Sequence, residues 1–187
     1  MCRCGAPIGR KGSPSEVECD YDSEEGGETV AQNKKLEEYF DEELFIPEMK
    51  ASSKKEALEE LVDALAETGK IHDKSLILEM LERREALGST GIGNGVAIPH
   101  GRSLAANQIM VVFGKSSKGV EFDSMDDKPV NLFFLILAPP QDRFNQYLPF
   151  LGKVVELIKD GAVRSRLAEV GSFQDFLKVL SEGQNDE

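Results

Sequence analysis

The sequence predicts an α/β fold, a sheet covered on both faces by helices, and three observations carry that expectation. Val130-Asn-Leu-Phe-Phe-Leu-Ile-Leu137 is almost wholly apolar, as a central strand buried on both sides must be. Apolar residues recur at helical spacing from Leu58 to Leu65 and again from Leu76 to Leu81. Strand-like and helix-like runs follow one another at short intervals, the pattern of a layered mixed architecture.

Residues 1–35 mix Gly, Pro and Ser with an acidic run from Glu16 to Glu28 and show no apolar periodicity. They read as a disordered acidic tail ahead of one domain over residues 36–187. Cys2, Cys4 and Cys19 all lie in this tail; they are odd in number and make no disulfide framework, and a three-cysteine metal site lacks a fourth ligand nearby.

Leu36, Tyr39 and Phe40 suggest a short helix, and Leu44-Phe45-Ile46 a first strand broken at Pro47. Ser53 with Glu56 forms a capping box before Leu58, Leu61, Val62 and Leu65, a helix that Gly69 ends. His72 falls in the following turn and carries no assigned role. Asp73 caps a second helix with Leu76, Ile77, Met80 and Leu81 on its inner face. The next position on that face is Arg84, whereas Arg83, about 100° away, points to solvent. An inward guanidinium needs an anion, which a ligand or a salt bridge to Glu85 would supply, unless only its stem packs there.

Ile109 to Phe113 read as a strand, Lys115 to Lys118 as turn-like, and Asp123 to Pro129 as an acidic loop. Pro139-Pro140 stop the central strand. The next helix carries Tyr147, Leu148, Leu151, Val154, Val155 and Ile158 inward; Pro149 places its start near Asn145 or Gln146. Further helices run from Ala162 to Ala168 and from Phe173 to Leu180, the last with Ser172 and Asp175 as a capping pair.

No run of eighteen apolar residues and no export leader is present, so the expectation is a cytoplasmic protein without membrane insertion. The net charge of −12 argues against nucleic acid and suits a protein partner with a basic surface, though solubility alone would also explain it.

The most constrained stretch is Gly88-Ser-Thr-Gly-Ile-Gly-Asn-Gly-Val-Ala-Ile-Pro-His-Gly-Arg102, which places Gly88, Gly91, Gly93 and Gly95 before one of the chain's 2 histidines. Such glycines allow positive φ and let backbone amides converge on an anion, so Ser89, Thr90, Gly91, Gly93 and Gly95 read as a phosphate-cradling loop. A P-loop lysine is missing, Val96 stands where a dinucleotide fingerprint needs glycine, and the loop closes into a strand rather than a helix. Val96-Ala97-Ile98 reads as a short buried strand. Pro99 should end its pairing and present His100 on a stiff turn. There a histidine is either a satisfied structural residue or a nucleophile, acid or ligand.

With the preceding Arg84-Glu85-Ala86-Leu87, this stretch resembles the active-site motif of the IIA proteins of the bacterial phosphotransferase system, in the fructose/mannitol and nitrogen-regulatory branch. The resemblance runs from about Leu36 to Leu180 and includes Leu44-Phe45-Ile46-Pro47 and Lys50 to Leu58. It implies a mixed sheet. It also implies that His100 accepts a phosphoryl group on Nε2 from HPr or its nitrogen-branch counterpart, and that Arg84 helps hold the phosphohistidine. The other ring nitrogen must then be held as a donor, by a backbone carbonyl near the loop. Transfer between two imidazoles requires no metal, and no cofactor is implied.

Two positions depart from the family pattern. Tyr147 stands where many members carry a second histidine, which makes it a candidate second-site partner, and Arg102 replaces a lysine. Three functions remain open: a regulatory phospho-switch, a sugar-uptake component passing phosphate to a IIB partner, and a non-enzymatic anion-binding module. Gly93-Asn94-Gly95 and the absence of a fused IIB segment lean toward regulation.

Overall fold

Among the described residues, the apolar strand that the sequence singles out belongs to a sheet of six strands, joined by five helices and a 3-10 turn. The computed structural model describes residues 35–142 and 145–183, all within one compact unit, Ala31–Glu187. The acidic run Glu16–Glu28 and Cys2, Cys4 and Cys19 lie outside the described residues. After a 3-10 turn at Leu36–Tyr39 come β1 (Phe40–Ile46), α1 (Lys54–Glu67), α2 (Lys74–Ala86), β2 (Gly91–Gly93), β3 (Val96–Ala97) and β4 (His100–Arg102). β5 (Met110–Val120), β6 (Val130–Ala138), α3 (Tyr147–Lys159), α4 (Gly161–Glu169) and α5 (Phe173–Gly183) complete the order.

The sheet is mixed, in the order β1-β5-β6-β3-β2 with β4 also pairing β6. β1 runs parallel to β5, and β3 and β4 run parallel to β6, while β5–β6 and β2–β3 are antiparallel. Strand pleating divides the core in two. Phe113, Leu132, Phe134 and Ile136 face α3, α4 and α5. Val112, Phe133, Leu135 and Leu137 face α1 and α2. On the first face Phe176 is fully buried, its ring 4.4 Å from Phe113, 5.0 Å from Phe40 and 5.6 Å from Phe45. Deleting such a ring from a packed core costs about 3–5 kcal/mol.

Helix starts follow the local signals. Ser53 Oγ accepts from Glu56 N and Asp73 from Leu76 N at 3.0 Å, each cap contributing about 1 kcal/mol. Glu56 turns its carboxylate to the amide and hydroxyl of Ser52, one residue earlier than a capping box requires. Ser172 and Asp175 pair reciprocally before α5. Pro149 sits in the first turn of α3, where no intrahelical N–H bond is lost.

Several sequence expectations need correction. Leu76 is 39% exposed and Leu148 65% exposed, so neither faces inward. In α3 the inner face instead includes Phe150 and Leu157, because Phe150 packs its ring against Tyr39 and Phe40. Lys115 to Lys118 are not a turn but part of β5, carrying a bulge between Lys115 and Val120. Long-range bonds override the turn-like composition: Ser117 donates to Glu48 from both N and Oγ, Asn131 donates to the Ser116 carbonyl, and Lys115 Nζ to the Val170 carbonyl.

Candidate active site

His100 lies in β4, which pairs only with β6 among the described residues and so presents it at an edge of the sheet. Pairing does not stop at Pro99. Val96 and Ala97 oppose Leu132 and Phe133, and His100 opposes Ile136, with the same offset on both sides of the proline. Proline lacks only its N–H; its carbonyl still accepts from Ile136 N at 2.9 Å, so the parallel ladder survives and His100 sits in a strand, not a turn.

Alternation then places the neighbours. Ile98 and Arg102 share the face toward α3, whereas Ala97 and Gly101 face α2. A Cβ on Gly101 would lie 2.0 Å from Met80 Sδ, so glycine is what lets α2 dock on β4. Arg84 follows Met80 by one helical turn and is therefore brought to the same end of the strand.

The imidazole is held by one short bond. His100 Nδ1 is 2.6 Å from the Ile98 carbonyl oxygen. A carbonyl only accepts, so Nδ1 carries the proton and Nε2 keeps a free electron pair. Burial pushes the His100 pKa below its ordinary value, the Ile98 bond opposes that, and the positive charge of Arg84 pushes it down further. The ring is neutral near pH 7.

Arg84 is half-buried and donates to the Gly88 carbonyl at 2.9 Å. Arg83 is exposed and pairs with Glu79 at 2.6 Å. Arg102 lies 5.0 Å from the ring centroid of Tyr147, in cation–π contact, and donates to the Pro140 carbonyl. Tyr147 is buried at the start of α3, and burial pushes its phenol pKa up while Arg102 and Arg84 oppose the shift. Arg84 thus acts on both His100 and Tyr147. His72 is exposed and distant from these residues in the chain.

The glycine-rich loop is a hairpin. Asn94 and Gly95 join β2 to β3 with φ of 55° and 74°, the positive pair a type I′ turn requires. Gly91 has no positive φ; its role is close approach, since a Cβ there would lie 2.9 Å from Ser124 Cα. The loop amides are engaged within the chain. Thr90 N donates to Glu85, Gly91 N to Ser89 Oγ, Gly93 N to Ser124 Oγ and Asn94 N to Asp126. These four amides are thus bonded within the chain, and the positive charge that acts on His100 is that of Arg84.

Sequence reasoning missed Glu85 as an organiser. It does not pair with Arg84; its carboxylate accepts from Thr90 Oγ1 at 2.6 Å and from Lys54 Nζ at 3.0 Å. Burial would raise the Glu85 pKa, but the Thr90 and Lys54 bonds outweigh it and hold the carboxyl below its usual range. A signal was present in the sequence: Glu85 is an anion in the last turn of a helix and Lys54 a cation in the first turn of another, both against the helix dipole. Ser124 and Asp126, in the acidic loop, gave no such signal.

Among the described residues no group of three metal-ligating side chains occurs, and no helix is long and apolar enough to cross a membrane.

Known proteins share the sequence and fold over most of the described residues. The family model described as phosphoenolpyruvate-dependent sugar phosphotransferase system, EIIA 2, matches residues 38–183. The chain is 36% identical over 140 residues to a nitrogen regulatory protein of Bradyrhizobium diazoefficiens, covering 74% of this chain and 90% of the relative. It is 35% identical over 140 residues to the fructose-specific EIIA component of Haloferax volcanii, covering 75% and 90%. The crystal structure of the nitrogen regulatory protein IIA-Ntr from Neisseria meningitidis superposes with a TM-score of 0.71 at 33% identity, covering 78% of this chain and 98% of that one.

Proposed function

The chain belongs to the EIIA 2 family of the phosphoenolpyruvate-dependent sugar phosphotransferase system, and on that premise we propose that it is a phosphocarrier whose acceptor is Nε2 of His100. The observation that carries this is the 2.6 Å bond from Nδ1 to the Ile98 carbonyl, which fixes the tautomer with Nε2 free.

In the proposed step the Nε2 electron pair attacks the phosphorus of a phosphohistidine on an HPr-like donor. The new N–P bond forms as the donor's N–P bond breaks, and that bonding pair returns to the donor imidazole. Nδ1 of His100 keeps its proton throughout, so the neutral imidazole becomes a phosphoimidazole without releasing one from that nitrogen. Such transfer relies on alignment and charge. Arg84 supplies charge to the phosphoryl oxygens, and Arg102, stacked on Tyr147, adds a second cation on the α3 side. Ser89, Thr90, Gly91, Gly93 and Gly95 are the proposed phosphate-side loop; Gly91 and Gly93 pair with β3, and the Thr90 carbonyl accepts from Ile98 N just before His100.

The phosphorylated protein acts, in this reading, as a regulatory switch that presents added negative charge at His100 to a target protein. Similarity to a nitrogen regulatory protein supports it. Near-equal similarity to a fructose-specific component supports the second reading, relay of the phosphoryl group to a IIB partner. Incubation with labelled phosphoenolpyruvate and the upstream carriers tests the shared step. Acid-labile, alkali-stable label is expected on the wild type and on His72→Ala and not on His100→Ala. Full labelling of His100→Ala would overturn the assignment. Adding a IIB domain then separates the readings by whether label moves on.

A further inference from the structure

A buried carboxylate outside the set of groups that would touch a phosphoryl group is wired to the acceptor imidazole. The Glu85 side chain is only 7% exposed. Its Oε2 accepts from Thr90 Oγ1 at 2.6 Å and from Thr90 N at 3.0 Å, while Oε1 pairs with Lys54 Nζ at 3.0 Å. Thr90 is itself 3% exposed. Its carbonyl accepts from Ile98 N at 3.0 Å. The carbonyl of Ile98 in turn accepts from Nδ1 of His100 at 2.6 Å. From Glu85 to His100 every link is a backbone group or a buried side chain, where water substitutes poorly, while Lys54 approaches Glu85 from the partly exposed side.

We infer that Glu85 is the positioning residue of this site: anchored by Lys54, it fixes Thr90, which fixes Ile98, whose carbonyl sets the tautomer and orientation of the His100 ring. The inference rests on His100 being the acceptor proposed above. Glu85 also follows Arg84 directly, so the same anchor holds the end of α2 from which Arg84 reaches the site. A negative charge in the last turn of α2 is unfavourable to the helix itself. Lys54 is equally misplaced at the start of α1, and the ion pair cancels both penalties while tying α1, α2 and the hairpin to one point. Asp123 completes the tie, 3.0 Å from the same Lys54 nitrogen.

The test reads His100 directly, in full-length protein without phosphate. Nitrogen-15 NMR of the wild-type imidazole should show the Nδ1–H tautomer dominant and a slowly exchanging Nδ1 proton. Glu85→Ala should mix the tautomers and speed that exchange by about tenfold or more. It should lower the rate of phosphoryl transfer at saturating donor by a similar factor, with little change in donor KM, because a buried side chain does not meet the donor. Glu85→Gln keeps an acceptor for Thr90 N but loses the Lys54 ion pair, and should fall between. Ser172→Ala, which removes a cap of α5 away from this chain of bonds, serves as the control for lost stability and should keep the wild-type tautomer. Should Glu85→Ala not fold, Glu85→Gln carries the same reading. A folded Glu85 variant with wild-type tautomer and exchange overturns the inference. Absence of label on wild-type His100 would instead overturn the acceptor assignment while leaving the tautomer result standing.

Discussion

Met80 occupies the space that a side chain at Gly101 would need: a Cβ there would come within 2.0 Å of the Met80 sulfur and 2.8 Å of its methyl. The residue after the histidine is thus where α2 seats on β4, one helical turn before Arg84. Gly101→Ala is expected to push Met80 aside or lift the end of α2, costing about 1–3 kcal/mol as overpacked sites do. Phosphoryl transfer should drop as well, because Arg84 moves with the helix. Met80→Ala in the same chain should restore much of both. Chemical denaturation and labelling rates check this, and a double variant no better than Gly101→Ala would refute the contact's role.

Arg84 and Arg83 are adjacent but differently placed. Arg84→Ala should slow transfer by at least about tenfold, roughly 1.4 kcal/mol of transition-state stabilisation. Arg83→Ala loses an exposed pair with Glu79 and should leave the rate within about twofold. Single-turnover kinetics with a phosphorylated donor decides, and equal losses from the two would contradict the facing argument.

Acid should weaken the fold in two stages. Burial holds the His100 pKa below its ordinary value, so as pH falls through the ordinary imidazole range the unfolded chain takes up a proton before the folded one does, and stability falls. The Glu85 carboxyl is also held down. Its contribution is present above the unfolded carboxylate pKa and is lost on further acidification through the folded one. His100→Gln should flatten the first stage of a stability–pH curve and Glu85→Gln the second. A wild-type curve that rises on acidification from pH 7 would reverse the sign.

Tyr147 offers Arg102 a ring and the site a hydroxyl, and two variants part these roles. Tyr147→Phe keeps the platform and should shorten the lifetime of the phosphohistidine by about threefold, consistent with one neutral hydrogen bond. Tyr147→Ala removes the platform too, opens the core beside Ile98 and should cost about 3–5 kcal/mol of stability. Hydrolysis of purified phosphoprotein gives the first number; an unchanged lifetime in Tyr147→Phe would show that the hydroxyl never meets the phosphoryl group.

Much of this protein is written in short-range pattern. The apolar run at Val130–Leu137, the caps at Ser53, Asp73 and Ser172, and the position of Pro149 each act over a few residues, so the sequence alone determined the central strand, the helix starts and the α/β layering. Helical spacing likewise separated half-buried Arg84 from exposed Arg83. Tertiary structure decided what depends on partners far along the chain. Phe150 displaced Leu148 from the inner face because the rings of Tyr39 and Phe40 await it. Lys115 to Lys118 became strand because Glu48 and Asn131 bond that segment. Pairing passed through Pro99 because β6 supplies a donor to its carbonyl. Glu85 turned from Arg84 to Thr90 and Lys54, since a buried carboxylate goes where most donors converge. Periodicity reports which face of an element is apolar; only the assembled layers bring together the groups that fix a proton on one nitrogen of His100.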